Sequence, residues 1–143
     1  MFNGMIDNIY TKEELDDVVC KNGLLQHNID STNGLLLKPG IKINLVGRDK
    51  SGNVVGGIMC NTYLMCLDID VLWVHEAHRG VGLGYRLISE AERIAKEAGC
   101  LFSITTTFSY QSPDFYLKQG YEVYAIVDDF PENICMYRLK KKL

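Results

Sequence analysis

The stretch Val71-Leu72-Trp73-Val74-His75-Glu76-Ala77-His78-Arg79-Gly80-Val81-Gly82-Leu83-Gly84-Tyr85 carries a strand, a glycine-rich turn and the start of a helix in direct succession. Upstream, Tyr63 to Val74 (YLMCLDIDVLWV) reads as one long strand. Its alternate residues Leu67, Ile69, Val71 and Trp73 form an apolar face, with Cys66, Asp68 and Asp70 opposite. Downstream, Leu83, Leu87, Ala91, Ile94 and Ala98 recur at helical spacing, which predicts a helix from about 81 to 98 closed by Gly99. The glycines between them permit positive φ and close approach of a ligand to the backbone. The first N–H groups of the helix have no intrahelical partner, and the positive dipole end adds to them. Together they suit a pyrophosphate.

Outward from this turn, strands and helices alternate. Residues 42–48 (KINLVGR) and 54–61 (VVGGIMCN) read as strands joined by the turn Asp49 to Asn53. Beyond the helix, LFSITTTF at 101–108 returns to strand. Pro113 opens a short helix, DFYLKQ, that Gly120 stops. YEVYAIV and ICMYRLK are two further strands flanking the turn DDFPEN. Toward the N-terminus, Thr11 and Glu14 form a capping box ahead of the apolar residues Leu15, Val18, Val19 and Leu25. They predict a helix from about 12 to 30, with Asn22-Gly23 as a candidate break. The order α-β-β-β-α-β-α-β-β predicts a mixed sheet with helices on both faces. No repeat or linker divides the chain, so residues 1–143 are expected to form a single domain.

Composition narrows the function classes. The 143 residues are 47% hydrophobic and 23% charged, which excludes a disordered or low-complexity chain. A net charge of −3 supplies no basic field for nucleic acid, and the basic run Arg138 with Lys140 to Lys142 reads as a solvated tail. No stretch approaches the ~20 apolar residues of a membrane span, and no basic-then-apolar leader opens the chain. A soluble, cytoplasmic protein is expected. Cys20, Cys60, Cys66, Cys100 and Cys135 are odd in number and contain no C-x-x-C. With only His27, His75 and His78 beside them, no metal site is expected, and the thiols read as reduced, small core residues.

Two familiar phosphate-binding patterns fail. No Lys-Ser or Lys-Thr follows the glycines, and their spacing is G-x-G-x-G rather than G-x-G-x-x-G. Arg79-x-x-Gly82-x-Gly84 instead has the form [RQ]-x-x-G-x-[GA], and here the chain resembles the GNAT superfamily of N-acetyltransferases. The preceding strand ending LWV and the segment SPDFYLKQGYEVY, with its Tyr and following Gly-aromatic pair, extend the resemblance from about Val54 to the C-terminus. Residues 1–41 correspond to the family's variable, substrate-shaping region. The implied fold is α/β, with a mixed, mostly antiparallel central sheet of about six to seven strands.

The resemblance implies acetyl-coenzyme A as cosubstrate, held at its pyrophosphate by backbone amides of Arg79, Gly80, Val81, Gly82, Leu83 and Gly84, with Tyr85 close behind. It also implies a bulge that splays the preceding strand from its neighbour, with the pantetheine arm alongside on the main chain of Leu72 and Val74. The Leu72 amide would donate to the thioester oxygen. A lysine-like amine of pKa about 10.4 costs roughly 4.6 kcal/mol to deprotonate at pH 7, so a base is required. Asp68, eleven residues before Arg79, stands where family members place a Glu acting through water, with Asp70 in reserve. The shorter Asp favours a water relay. Tyr116 matches the general acid that protonates the leaving thiolate, against the plainer reading of a packed helix aromatic. Phe115 and Tyr121 read as core, and Arg86 as a solvated residue within reach of a 3′-phosphate. The expected reaction is direct attack by a primary amine, of a small molecule or a protein, in a ternary complex. The alternative is an acyl-CoA sensor without turnover. Whether the protein is a homodimer carries no signal in the sequence.

Overall fold

The computed structural model describes residues 16–143, and the chain divides after Lys38 into two compact units. In the first, a wide-turned π-type helix Asp16–Leu25 runs on into helix α1 (Gln26–Ser31), and a short 3-10 turn follows at Leu35–Leu37. The backbone passes through Asn22-Gly23 without a break. The Thr11–Glu14 capping box lies outside the described residues.

The second unit, Pro39–Leu143, is built on six strands: β1 (Lys42–Arg48), β2 (Val54–Tyr63), β3 (Cys66–Val74), β4 (Phe102–Phe108), β5 (Glu122–Val127) and β6 (Met136–Lys142). Their order is β1-β2-β3-β4-β6-β5, with only the β3–β4 pair parallel. This is the expected mixed, mostly antiparallel sheet. Helix α2 (Leu83–Glu97) crosses between β3 and β4, and helix α3 (Pro113–Lys118) between β4 and β5. Leu87, Ile88, Ala91 and Ala95 of α2 share one core with Tyr116 of α3 and with Ile58, Cys60, Leu67, Ile69 and Leu139 of the sheet. The Tyr121 hydroxyl bridges Ser103 Oγ (2.8 Å) and Glu92 Oε1 (3.0 Å), and Lys141 reaches Glu92 at 2.7 Å. Cys60, Cys66 and Cys100 are buried as expected, and burial pushes the Cys60 thiol up to about 12, while Cys20 is exposed.

Two expectations for β3 are corrected. The strand does not begin at Tyr63. Leu64 and Met65, at φ 46° and 60°, form a two-residue hairpin turn between β2 and β3, although neither is a glycine or asparagine. Nor do Leu67, Ile69, Val71 and Trp73 share a buried face. Cys60 pairs with Ile69 but Met59 pairs with Val71, so Asp70 is an extra residue and the side-chain phase flips at a bulge. Beyond it Leu72 and Val74 pack on the core, while Val71 and Trp73 are 47% and 48% exposed.

Candidate active site

The same bulge opens the sheet. β3 and β4 pair over four rungs only, Cys66↔Phe102 to Ile69↔Thr105, and then part while β4 continues beside β6. His75 N–H donates to Val55 O at 2.8 Å, on the β2 side. Backbone groups alternate along a strand, so the N–H and C=O groups of Leu72 and Val74 face the opposite way, into the gap. The gap is a cleft of about 810 Å³ whose walls include Asp70 to Val74, the turn at Arg79 and Gly80, Thr106, Thr107, Tyr110, Gln111, Phe115 and Tyr116.

At one end of the cleft lies the glycine turn. Gly80 and Gly82 sit at φ 76° and 86°, in open space, so glycine serves conformation there rather than close packing. Gly84 is different: a Cβ would meet the Phe115 ring at 3.2 Å. Leu83 seats the start of α2 on the sheet, because a Cβ on Gly47 or Gly56 would lie 2.6 Å or 3.0 Å from its methyl groups. The first helical donor of α2 is Arg86, onto Gly82 O at 3.0 Å, so the N–H groups of Leu83, Gly84 and Tyr85 lack intrahelical acceptors. Among the described residues no backbone carbonyl accepts from Gly80, Val81 or Gly82 either. Arg79 stands apart from that set. Its own N–H is bonded to Glu76 O (3.2 Å), and its Nε donates to Val74 O (2.9 Å), tying the turn back to the end of β3. The side chain of Tyr85 is exposed, and it borders the cleft.

Tyr116 enters from the core side. It is 7% exposed, lines the cleft, and lies against Thr105, whose hydroxyl donates to Ile69 O at 3.2 Å. Ile69 and Thr105 form the last paired rung, so the phenol stands at the vertex of the splay. Burial pushes its hydroxyl above the ordinary phenol value, with the Thr105 contact opposing. Asp68 and Asp70 do not occupy equivalent places. Asp70 lines the cleft and accepts from Asn61 Nδ2. Asp68, paired with Ile104 one rung before the vertex, is outside the lining. Burial and then the Asp70 charge raise its carboxyl above the ordinary value, while Arg138 lowers it. Sequence reading missed Thr105, Tyr110, Gln111 and Arg138. Ser103, Thr105 and Thr107, polar residues at alternate positions of β4, were the available signal for the first. No group of three or more His, Cys, Asp or Glu poised for a metal occurs among the described residues, and none of their helices is long and apolar enough to cross a membrane.

A mixed sheet splayed beside a parallel seam, with a glycine turn feeding a helix at its mouth, is the α/β architecture that this chain shares with solved acetyltransferases. A model of the acetyltransferase (GNAT) family matches residues 10–121, and the chain belongs to that family of N-acetyltransferases. It is 40% identical over 93 residues to blasticidin-S acetyltransferase of Streptomyces morookaense, covering 64% of this chain and 68% of that one. The crystal structure of an acetyltransferase from Bacillus cereus ATCC 14579 superposes with a TM-score of 0.85 at 34% identity, covering 95% of this chain and 97% of the other. The PaiA N-acetyltransferase of Thermoplasma acidophilum, solved with coenzyme A, shares the fold at a TM-score of 0.60 and 21% identity, covering 94% and 81%.

Proposed function

We propose that this protein transfers the acetyl group of acetyl-coenzyme A to a primary amine of a small cationic molecule, by direct attack in a ternary complex. The observation that carries the reading is the open edge of β3, where Leu72 and Val74 turn backbone groups into a cleft continuous with the free amides from Gly80 to Tyr85. The pantetheine arm would lie along that edge as an added strand, with the pyrophosphate on the turn. Arg79 serves this site through its side chain, by holding the strand end in place.

In the reaction the amine nitrogen attacks the thioester carbon, and charge builds on the carbonyl oxygen, where the Leu72 N–H donates. Losing such a donor typically costs about 10²–10³ in rate. The carbon–sulfur bond then breaks, and Tyr116 delivers its proton to the departing sulfur. A hydroxyl raised by burial stays protonated at neutral pH, as a general acid must. Before attack the ammonium proton passes to Asp68 by a water relay past Asp70, the carboxylate in the cleft wall, and after attack the second nitrogen proton restores the Tyr116 hydroxyl. The raised Asp68 carboxyl holds a proton better than a free one. These two carboxylates also favour a cationic acceptor. The 40% identical relative that acts on blasticidin S supports a small molecule over a protein amine.

The test is thiol release from acetyl-coenzyme A with a panel containing blasticidin S, spermidine, lysine and a peptide N-terminus. Turnover with a small amine supports the reading. Binding of acetyl-coenzyme A without turnover on any amine would leave an acyl-CoA sensor, and absence of binding would reduce the glycine turn to a device of geometry.

A further inference from the structure

Three aromatic rings gather where β4 ends. Tyr110 stacks on Phe108, with centroids 5.4 Å apart and planes at 13°, and Phe130 from the β5–β6 connection meets Phe108 edge-on at 5.7 Å. Tyr110 lines the cleft, yet it is 67% exposed. Phe108 covers one face of its ring and leaves the other in water.

The backbone beneath is braced. Gln111 N–H donates to Phe108 O and Gln111 Oε1 accepts from Phe108 N–H, both at 2.9 Å. Ser109 N–H donates to Cys135 O (2.8 Å), and Ser109 Oγ accepts from Cys135 N–H (3.1 Å), which joins this turn to the connection bearing Phe130. A large ring held in place with one face wet has the form of a stacking platform, since offset-stacked rings gain beyond the area they bury. Its surroundings are acidic. Asp70 stands in the cleft wall, and Asp128, Asp129 and Glu132 are exposed on the connection that carries Phe130. Arg138 lies close enough to act on Asp68 and Tyr63.

We infer that Tyr110, backed by Phe108 and Phe130, receives a planar aromatic or heteroaromatic ring of the amine acceptor, so that the enzyme selects arylalkyl amines over plain alkyl amines. This rests on the amine-acetylation reading and names the substrate class for it. The cofactor side of the cleft, at Leu72, Val74 and the glycine turn, has no part in the selection.

The experiment compares 2-phenylethylamine with n-hexylamine, two primary amines of like charge, by kcat/KM and by calorimetric titration of the protein. The wild type should prefer the aryl amine roughly two- to tenfold in both measurements. Tyr110→Ala should bring the ratio close to one, and Tyr110→Phe should preserve it, with the KM for acetyl-coenzyme A steady throughout. No preference in the wild type, a preference that survives Tyr110→Ala, or a parallel rise in the acetyl-coenzyme A KM would each overturn the inference. If neither amine is acetylated, the titration alone decides whether the ring binds at Tyr110, and the amine-acetylation reading falls only if the wider amine panel is also not turned over.

Discussion

The Tyr116 hydroxyl lies at the Ile69–Thr105 rung, where two packed strands become a cleft. Tyr116→Phe keeps the ring in the core, so acetyl-coenzyme A should bind nearly as before while kcat falls by about 10²–10⁴. An acyl donor with a more acidic thiol should recover part of the loss. A packing role alone would instead lower the melting temperature and leave kcat in place. Measuring both quantities on the one variant separates the two roles. Asp68 makes a prediction of opposite sign for rate and stability. Its folded carboxyl is raised, so the ionised form is disfavoured by folding, and the cost is present once the pH exceeds the folded value. Asp68→Asn should therefore melt at higher temperature than the wild type at neutral pH, and the gain should fade as the pH falls from the raised folded value to the ordinary carboxylate value. Its turnover should fall at neutral pH and recover toward the pKa of the amine. If Asp70→Asn is the worse lesion for turnover, or the Asp68→Asn defect is the same at every pH, the proton goes elsewhere.

At the scale of elements, β3 shows why part of the site was legible and part was not. The glycine turn, the amphipathic α2 and the Tyr of α3 announce themselves by residue type at fixed spacing. The bulge does not. One added residue, Asp70, leaves the alternation of Leu67, Ile69, Val71 and Trp73 unbroken on paper, and only pairing with β2 reveals that the second pair has changed sides. The hairpin at Leu64-Met65 was equally silent, because two apolar residues fill positions that ordinarily go to Asn-Gly. That mismatch is testable. Leu64→Asn with Met65→Gly should raise the melting temperature by the equivalent of about 1 kcal/mol, since both residues then suit positive φ. At the head of α2, Gly82→Asp sets a side chain and a negative charge at φ 86° beside the free amides. Acetyl-coenzyme A affinity should fall at least tenfold, about 1.4 kcal/mol, while far-ultraviolet circular dichroism stays native. Unchanged affinity by calorimetry would remove the turn from the binding site.

Across the second unit, the antiparallel group β1-β2-β3 and the antiparallel group β4-β6-β5 meet in the sheet through the four rungs of the parallel seam. A pantetheine arm along β3 would occupy the edge that this seam leaves open. Acetyl-coenzyme A at a hundred times its Kd should then stabilise the protein by about 2.7 kcal/mol, with the new hydrogen-exchange protection falling on the Leu72 and Val74 amides rather than on the core of α2. The same open edge has a consequence for the protein at rest. Unpaired strand edges are templates for foreign strands, and proteins commonly blunt them with charge. The Arg79 side chain already takes the Val74 carbonyl, which leaves one acceptor fewer on that edge for a foreign strand. Light scattering from the ligand-free protein should climb faster on storage than with coenzyme A present, and fastest of all in Arg79→Ala.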